Sequence, residues 1–397
     1  MTANNKNYVL YFFCTPYKKS SAGVRTIYHM IDYFNKNNQP AFTLFQNETI
    51  GAAGYSIHDG EEDLIAPALT IDLLNEHIAQ KKIPVFLYPD TVSGNFFNAE
   101  NVCRLILYYD SVFTGKSSLS KTTKEGVVFF SSLIKKRANI PSALFQNIIS
   151  LPVAQKSLIN YNPKLDERYG EAYYDGKFTR NFGGKIPKNI SHLEEIDRDK
   201  KKSISQEDLF SKLKNLKLLH VFEDTALIYE ALLLGCPVNI HSNGAFYEKK
   251  PLGEKEVTLY GTFSKENVCK EDIDDAFKVI NKFKNEYLKW LNNAYKQMDS
   301  LIESFDKFEG NYNDKNIKLM KENIKFSEIY ISRAEKNYAL KSNIIILLVI
   351  KILYKIYKIL ISSRIGRILF KNPLLRIYND LPTRIKKLIT NSLKELN

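Results

Sequence analysis

Cysteines and long apolar runs are scarce in this sequence, and each scarcity removes a class of protein. Four cysteines (Cys14, Cys103, Cys236 and Cys269) are spread over 397 residues with neither metal-type spacing nor a disulfide framework. That spread fits a reducing, cytoplasmic setting. The apolar stretch Ile344–Ile350 is seven residues long, against roughly 20 for a helix that spans a bilayer. Tyr8–Phe13 is too short for a signal-peptide core with a cleavage site and reads instead as a first strand. No Walker loop, Gly-x-Gly-x-x-Gly or nucleophile elbow occurs, and the six histidines make no pair at metal spacing. Two Asp-x-Asp patterns exist, Asp197/Asp199 and Asp272/Asp274. The first adjoins Lys200–Lys202 and the second opens an acidic helix N-terminus, where Asp is favoured anyway. Neither a metal nor another cofactor is expected.

What is present is ordinary for a globular chain: 44% apolar and 25% charged residues, long enough for two domains and an appendage. The net charge of +13 is unevenly placed. Residues 336–397 hold thirteen basic residues against Asp380 and Glu395, a net +11, which leaves only +2 for the rest. Lys351, Lys355 and Lys358 share one helical face, opposite Ile352, Leu353, Ile356, Ile359 and Leu360. Such a basic amphipathic helix suits an anionic membrane surface. The alternative is a helical hairpin packed on the body or an oligomerisation element, neither of which needs eleven excess charges. Nucleic acid is not expected as a partner, because long aliphatics stand where polar and stacking groups would be needed.

The densest signal lies at Leu218–Val238. An apolar run stops at Glu223-Asp224, a helix-compatible run follows, and Gly235-Cys236-Pro237 ends it before Val238-Asn239-Ile240. The pattern predicts strand, turn, helix and strand, with Asp224 or Thr225 capping a helix whose positive end suits a phosphate. An ordinary crossover without a ligand accounts for the same pattern. Glu230 and the Gly235-Cys236-Pro237-Val238 ending resemble the nucleotide-sugar-binding unit of GT-B glycosyltransferases, in particular the large retaining group 1 family. That family carries two Glu eight positions apart; here Phe222 stands at the first position and Glu223 is the nearest acid. The first Glu of that family holds the donor sugar and the second the ribose, which the resemblance carries to Glu230; Glu223 is taken as a catalytic and donor-binding candidate.

Two further segments carry weaker likenesses. After a strand at Val9–Phe13, Val24, Ile27, Met30, Ile31 and Phe34 fall at helical spacing. The Ser21-Ala22-Gly23-Val24-Arg25 start of that helix is similar to O-antigen and capsule transferases, which implies that Gly23 and Arg25 face the donor phosphate or the acceptor. A second strand ends at Pro89, followed by a polar turn from Asp90 to Asn95. Asn98 is expected to cap a helix containing Val102, Leu105 and Ile106. Asp90, Asn95 and Arg104 are then acceptor contacts, by likeness to the Tyr-Pro-Glu…Gly-Asn segment of polysaccharide glycosyltransferases. A capping Asp and a turn Gly-Asn also need no ligand. The GT-B likeness implies that the first strand of the second domain delivers basic residues to the donor diphosphate. Arg180, ahead of Lys177 and Lys185, is the expected contact, since a guanidinium fork suits phosphate. A solvated hairpin charge is the alternative.

The expected fold is α/β: GT-B, two Rossmann-like domains facing a cleft, plus a C-terminal basic amphipathic tail. The boundaries are 1–158 for the acceptor domain, 159–270 for the nucleotide-sugar domain, 271–335 for bracing helices and 336–397 for the tail. The expected activity is metal-independent transfer of a sugar, with retention by family habit and Asp90 as base if the reaction inverts. The donor is a nucleotide-sugar, and the acceptor a lipid-linked or polysaccharide chain in bacterial surface-glycan (O-antigen, capsule or lipopolysaccharide) synthesis. The enzyme would be cytoplasmic and peripheral on the inner membrane face. A catalytically silent scaffold of a polysaccharide-assembly complex and a peripheral lipid-binding α/β protein remain as alternatives.

Overall fold

β-Branched and aromatic residues dominate the first strand, β1 (Tyr8–Cys14), and every one of its residues is buried. A strand covered on both faces belongs in the middle of a parallel sheet. In the computed structural model it does: β1 pairs in parallel with β2 (Ala41–Phe45) on one side and β3 (Ile83–Pro89) on the other. β4 (Val102–Ile106), β5 (Gly126–Phe129) and β6 (Phe145–Ile148) complete a six-stranded sheet of order β2-β1-β3-β4-β5-β6. The structure describes residues 7–47, 64–109, 124–138, 142–154, 156–164, 168–197, 204–246 and 251–331. Residues 1–327 form one compact unit and 328–397 another. The basic tail at 336–397 lies outside the described residues.

The sequence expectation of a helix after Asn98 is wrong. Val102–Ile106 is β4, in register with β3 (Phe86↔Val102, Tyr88↔Arg104). Its Cys103 and Leu105 join one core layer while Val102 joins the other, so both faces are apolar and period-two alternation disappears.

Helix α1 (Ala22–Lys36) follows its predicted spacing: Ile27, Met30, Ile31 and Phe34 are buried, and Ser21 caps it by accepting from the Val24 N–H. α1 covers one face of the first sheet; α2 (Ile71–Ala79) contributes Leu74 to the core on the other. α3 (Ser132–Ala138) follows β5, and a single turn, α4 (Lys156–Ile159), precedes the second sheet.

The second sheet has the order β11-β10-β9-β7-β8, also all parallel. Its strands are β7 (Tyr169–Tyr174), β8 (Glu194–Glu195), β9 (Leu216–Glu223), β10 (Val238–Ala245) and β11 (Thr262–Phe263). Between them lie α5 (Lys177–Arg180), α6 (Gln206–Asn215) and α7 (Leu227–Leu233). α8 (Lys270–Ile280) and α9 (Phe283–Ser304) follow, then α10 over 314–331. α9 binds the two lobes together. Its Phe283, Tyr287 and Trp290 belong to the core of the second sheet, and its Ala294, Met298 and Leu301 to that of the first. α10 sends Met320 and Ile324 into the opposite layer of the first sheet.

Candidate functional site

In an open parallel sheet, the crevice for a ligand forms at the carboxyl ends of two strands whose connections leave in opposite directions. In the first sheet that point lies between β1 and β3, and in the second between β7 and β9. Both switch points open on one cleft of about 480 Å³. Cys14, Thr15, Pro89 and Asp90 line it from the first sheet; Tyr174, Lys177, Glu223 and Asp224 line it from the second.

Across the cleft runs a chain of contacts. Asp90, just beyond β3 and 9% exposed, accepts the Tyr108 backbone N–H at 3.0 Å. The Tyr108 ring lies beneath the Lys177 ammonium, 5.3 Å from Nζ to centroid. Lys177 in turn donates its backbone N–H to the Glu223 carboxylate. Burial raises the Tyr108 phenol well above its usual range, with the Asp224 and Glu223 charges adding to the effect. Glu223 is 3% exposed, and burial raises its carboxyl pKa against the opposing pull of Lys177. Three acids and two cations, Lys18 and Lys177, therefore face the same space.

Gly176 makes the Glu223 position possible. Its φ is +48°, and a Cβ there would stand 2.3 Å from Glu223 Cδ. Only a residue without a side chain allows the backbone this close to the carboxylate.

The expected site residues divide into two groups. Gly23, Asp90, Glu223, Asp224 and Thr225 line the cleft. Arg25, Glu230, Asn95, Arg104, Arg180 and Lys185 do not. Arg25 and Glu230, expected to meet phosphate or acceptor and ribose, meet each other at 2.6 Å. The pair joins α1 to α7, and both side chains are sealed at 1% and 0% exposure. Asn95 closes its own turn, accepting from the Ala99 N–H at 2.9 Å and donating to the Ala99 carbonyl at 2.7 Å. Arg104, placed on a central strand, holds the same loop. It donates to the carbonyls of Val92 (2.9 Å) and Gly94 (2.6 Å), pairs with Glu125 at 2.8 Å and lies over the Tyr88 ring. Arg180 and Lys185 are exposed, and Arg180 Nε donates to the Gly176 carbonyl at 2.8 Å. Lys177, ranked behind Arg180 in the sequence reading, is the cation of this segment that enters the cleft.

The helix after β9 also starts later than its sequence suggests. Ala226 occupies the cap position of the seven-residue α7, and Asp224 and Thr225 stand in the turn before it. Thr225 Oγ1 still accepts from the Leu227 N–H at 3.3 Å.

Sequence spacing missed one cluster entirely. His220 and His241, on neighbouring strands, approach at 3.0 Å (Nδ1 to Nε2), and His220 Nε2 meets Glu171 at 3.1 Å. Asn239, oriented by the Lys265 backbone, directs its amide N–H toward the pair. Phe222, eight positions before Glu230, stacks on His241 at 4.2 Å and 7°. Among the described residues, no group of three or more His, Cys, Asp or Glu is arranged to hold a metal. Nor is any described helix long and apolar enough to cross a membrane.

No protein-family model matches the sequence, and no curated protein does. Among solved structures, the chain is similar to T4 phage BGT in complex with its UDP-glucose substrate: 8% identity, TM-score 0.39, covering 75% of this chain and 99% of that one. It is also similar to the glycosyltransferase SnogD from Streptomyces nogalater, at 10% identity and TM-score 0.33, covering 75% and 99%. A glycosyltransferase from Rickettsia africae gives 11% identity and TM-score 0.36, covering 83% and 100%. Two parallel sheets whose switch points face a common cleft form the GT-B arrangement expected from the 218–240 block.

Proposed function

We propose that this chain is a glycosyltransferase that carries a sugar from a nucleotide-sugar donor to a lipid-linked or polysaccharide acceptor in bacterial surface-glycan synthesis. The observation that carries this reading is the pair of facing switch points, which set Asp90 opposite Lys177 and Glu223 around one cleft. In the reaction an acceptor hydroxyl attacks the anomeric carbon. The bond from that carbon to the diphosphate oxygen breaks, and its electron pair leaves with the nucleoside diphosphate. Lys177, with Lys18, offsets the charge growing on the leaving group. Glu223 holds donor sugar hydroxyls, and Asp224 and Thr225 flank the diphosphate. Retention follows the resemblance, and the acceptor proton then passes to the departing diphosphate oxygen; if configuration inverts, Asp90 takes it. Glu230, closed by Arg25, is given no ribose to hold in this scheme. The basic tail at 336–397 supports a place on the inner membrane face, where a lipid-linked acceptor is presented.

The closed Arg25–Glu230 pair favours a second reading, a catalytically silent relative that scaffolds an assembly complex. One screen separates the two: thermal shift against UDP, GDP, dTDP, CMP and their sugar conjugates. A ligand that binds only the folded state raises the apparent stability. A shift with one nucleotide, lost in Lys177→Ala and Glu223→Ala, supports the enzyme and names the donor class. Absence of any shift moves the case to the scaffold.

A further inference from the structure

We propose that the connection leaving β7, residues 177–193, is a membrane-contact surface that sets the mouth of the cleft against an anionic bilayer. The inference rests on the reading of a lipid-linked acceptor and deepens it. The segment is firmly held. Phe178 and Ile190 are buried and pack, with Ile186 and Leu193, against Phe222 of β9. The backbone closes on itself: Asn181 N–H donates to the Lys177 carbonyl and Gly184 N–H to the Phe178 carbonyl, both at 2.8 Å. Gly183 turns at φ +66°, and a Cβ on Gly184 would meet the Phe178 ring at 2.3 Å.

That anchoring directs a different set outward. Arg180, Phe182, Lys185 and Lys188 are all exposed, Phe182 by 53%. Between Gly176 and Leu193 there is no Asp or Glu. An ordered turn thus holds a bare phenyl ring in water among basic groups, the combination that enters the headgroup layer of an anionic membrane. A single ring among aliphatics and ammonium groups fits that layer better than a nucleic-acid strand, which asks for a series of stacking rings. The surface also adjoins the cleft: Lys177 lines it, and the Phe182 N–H donates to the Lys177 carbonyl at 3.2 Å. The +11 charge of 336–397 has the same electrostatic preference.

The test is partition of the full chain onto vesicles of phosphatidylcholine alone or mixed with phosphatidylserine. Phe182→Ser/Lys188→Glu is expected to lower binding to the anionic vesicles at least about tenfold. Phe96→Ser removes an equally exposed ring (54%) from a loop with no basic residue over 91–99, and is expected to leave binding unchanged. Phe182→Trp is expected to add an indole emission that shifts to the blue on anionic vesicles. Wild-type binding by the double variant, or no blue shift in the Phe182→Trp variant, overturns the proposal. So does a loss seen with single-stranded oligonucleotide and not with vesicles. Nucleotide thermal shifts measured on the same variants report separately on the transferase reading.

Discussion

Arg25 of α1 lies 2.6 Å from Glu230 of α7, and neither side chain meets solvent. One helix covers the first sheet and the other the second, so the pair is an ionic bond between lobes, out of water. Glu256 makes a related bridge, accepting from the Ser132 N–H at 3.0 Å and its hydroxyl at 2.9 Å at the start of α3. Removing one partner of a buried pair strands the other charge, at about 3–5 kcal/mol. Arg25→Met or Glu230→Leu alone should lose that much stability in urea denaturation. The double variant should recover most of it, because both charges then leave together. A double-variant loss equal to the sum of the two single losses would show that the two residues act independently.

Gly176→Ala should damage the site more than the stability. The new methyl would occupy the space of the Glu223 carboxylate, in a backbone region that disfavours side chains. The expected cost is about 1–3 kcal/mol in stability, with donor-nucleotide binding lost. Gly176→Ala in a Glu223→Ala background should cost less, since the clash is gone. A double-variant cycle by thermal denaturation reads the coupling.

Asp90→Asn tests the base. If the reaction inverts, transfer should fall by about 10²–10⁴-fold with nucleotide affinity unchanged. NMR of the product anomer tells whether configuration is kept or inverted. Retention with an active Asp90→Asn enzyme would remove Asp90 from the proton path.

The His220–His241 pair gives a signed pH dependence. Burial lowers both pKa values, and His220 helps bring His241 down to about 4. In the unfolded chain both return to about 6.5. The folded state then holds fewer protons, so this contribution is complete above pH 6.5 and is lost as pH falls from 6.5 toward 4. For His241 the loss by pH 4 is about 3 kcal/mol. Glu223, whose carboxyl is raised, acts in the opposite sense, so the comparison must be between variants. Denaturation midpoints of His241→Gln should fall less steeply below pH 6.5 than those of the wild type. Parallel curves would show that the pair stays protonated alike in both states.

The elements legible in advance were those with a local pattern. β1 is a continuous apolar run, α1 has a clean helical period with a Ser cap, and Gly235-Cys236-Pro237 marks the return from α7 to β10. β4 was misread because a short apolar run buried on both faces has no period to distinguish strand from helix. The place of Asp90 and Glu223 at the cleft is legible because cleft residues gather where strands end, and strand ends are marked by turns. Lys177 carries the same mark, three residues past the end of β7, yet Arg180 looked better on its chemistry alone.

The sequence by itself determined two parallel α/β units, a bracing helical segment and the placing of the charge in 336–397, since these follow from periodicity and composition along the chain. Only the tertiary structure decided which polar groups remain for a ligand. Arg25 and Glu230 are 205 positions apart, and Arg104 reaches Val92, Gly94 and Glu125 from a central strand. His220 meets His241 only through the pairing of β9 with β10. A side chain's period tells whether it is buried. Its partner is set by how sheets and helices pack, and a charged group removed from water takes the partner that packing supplies.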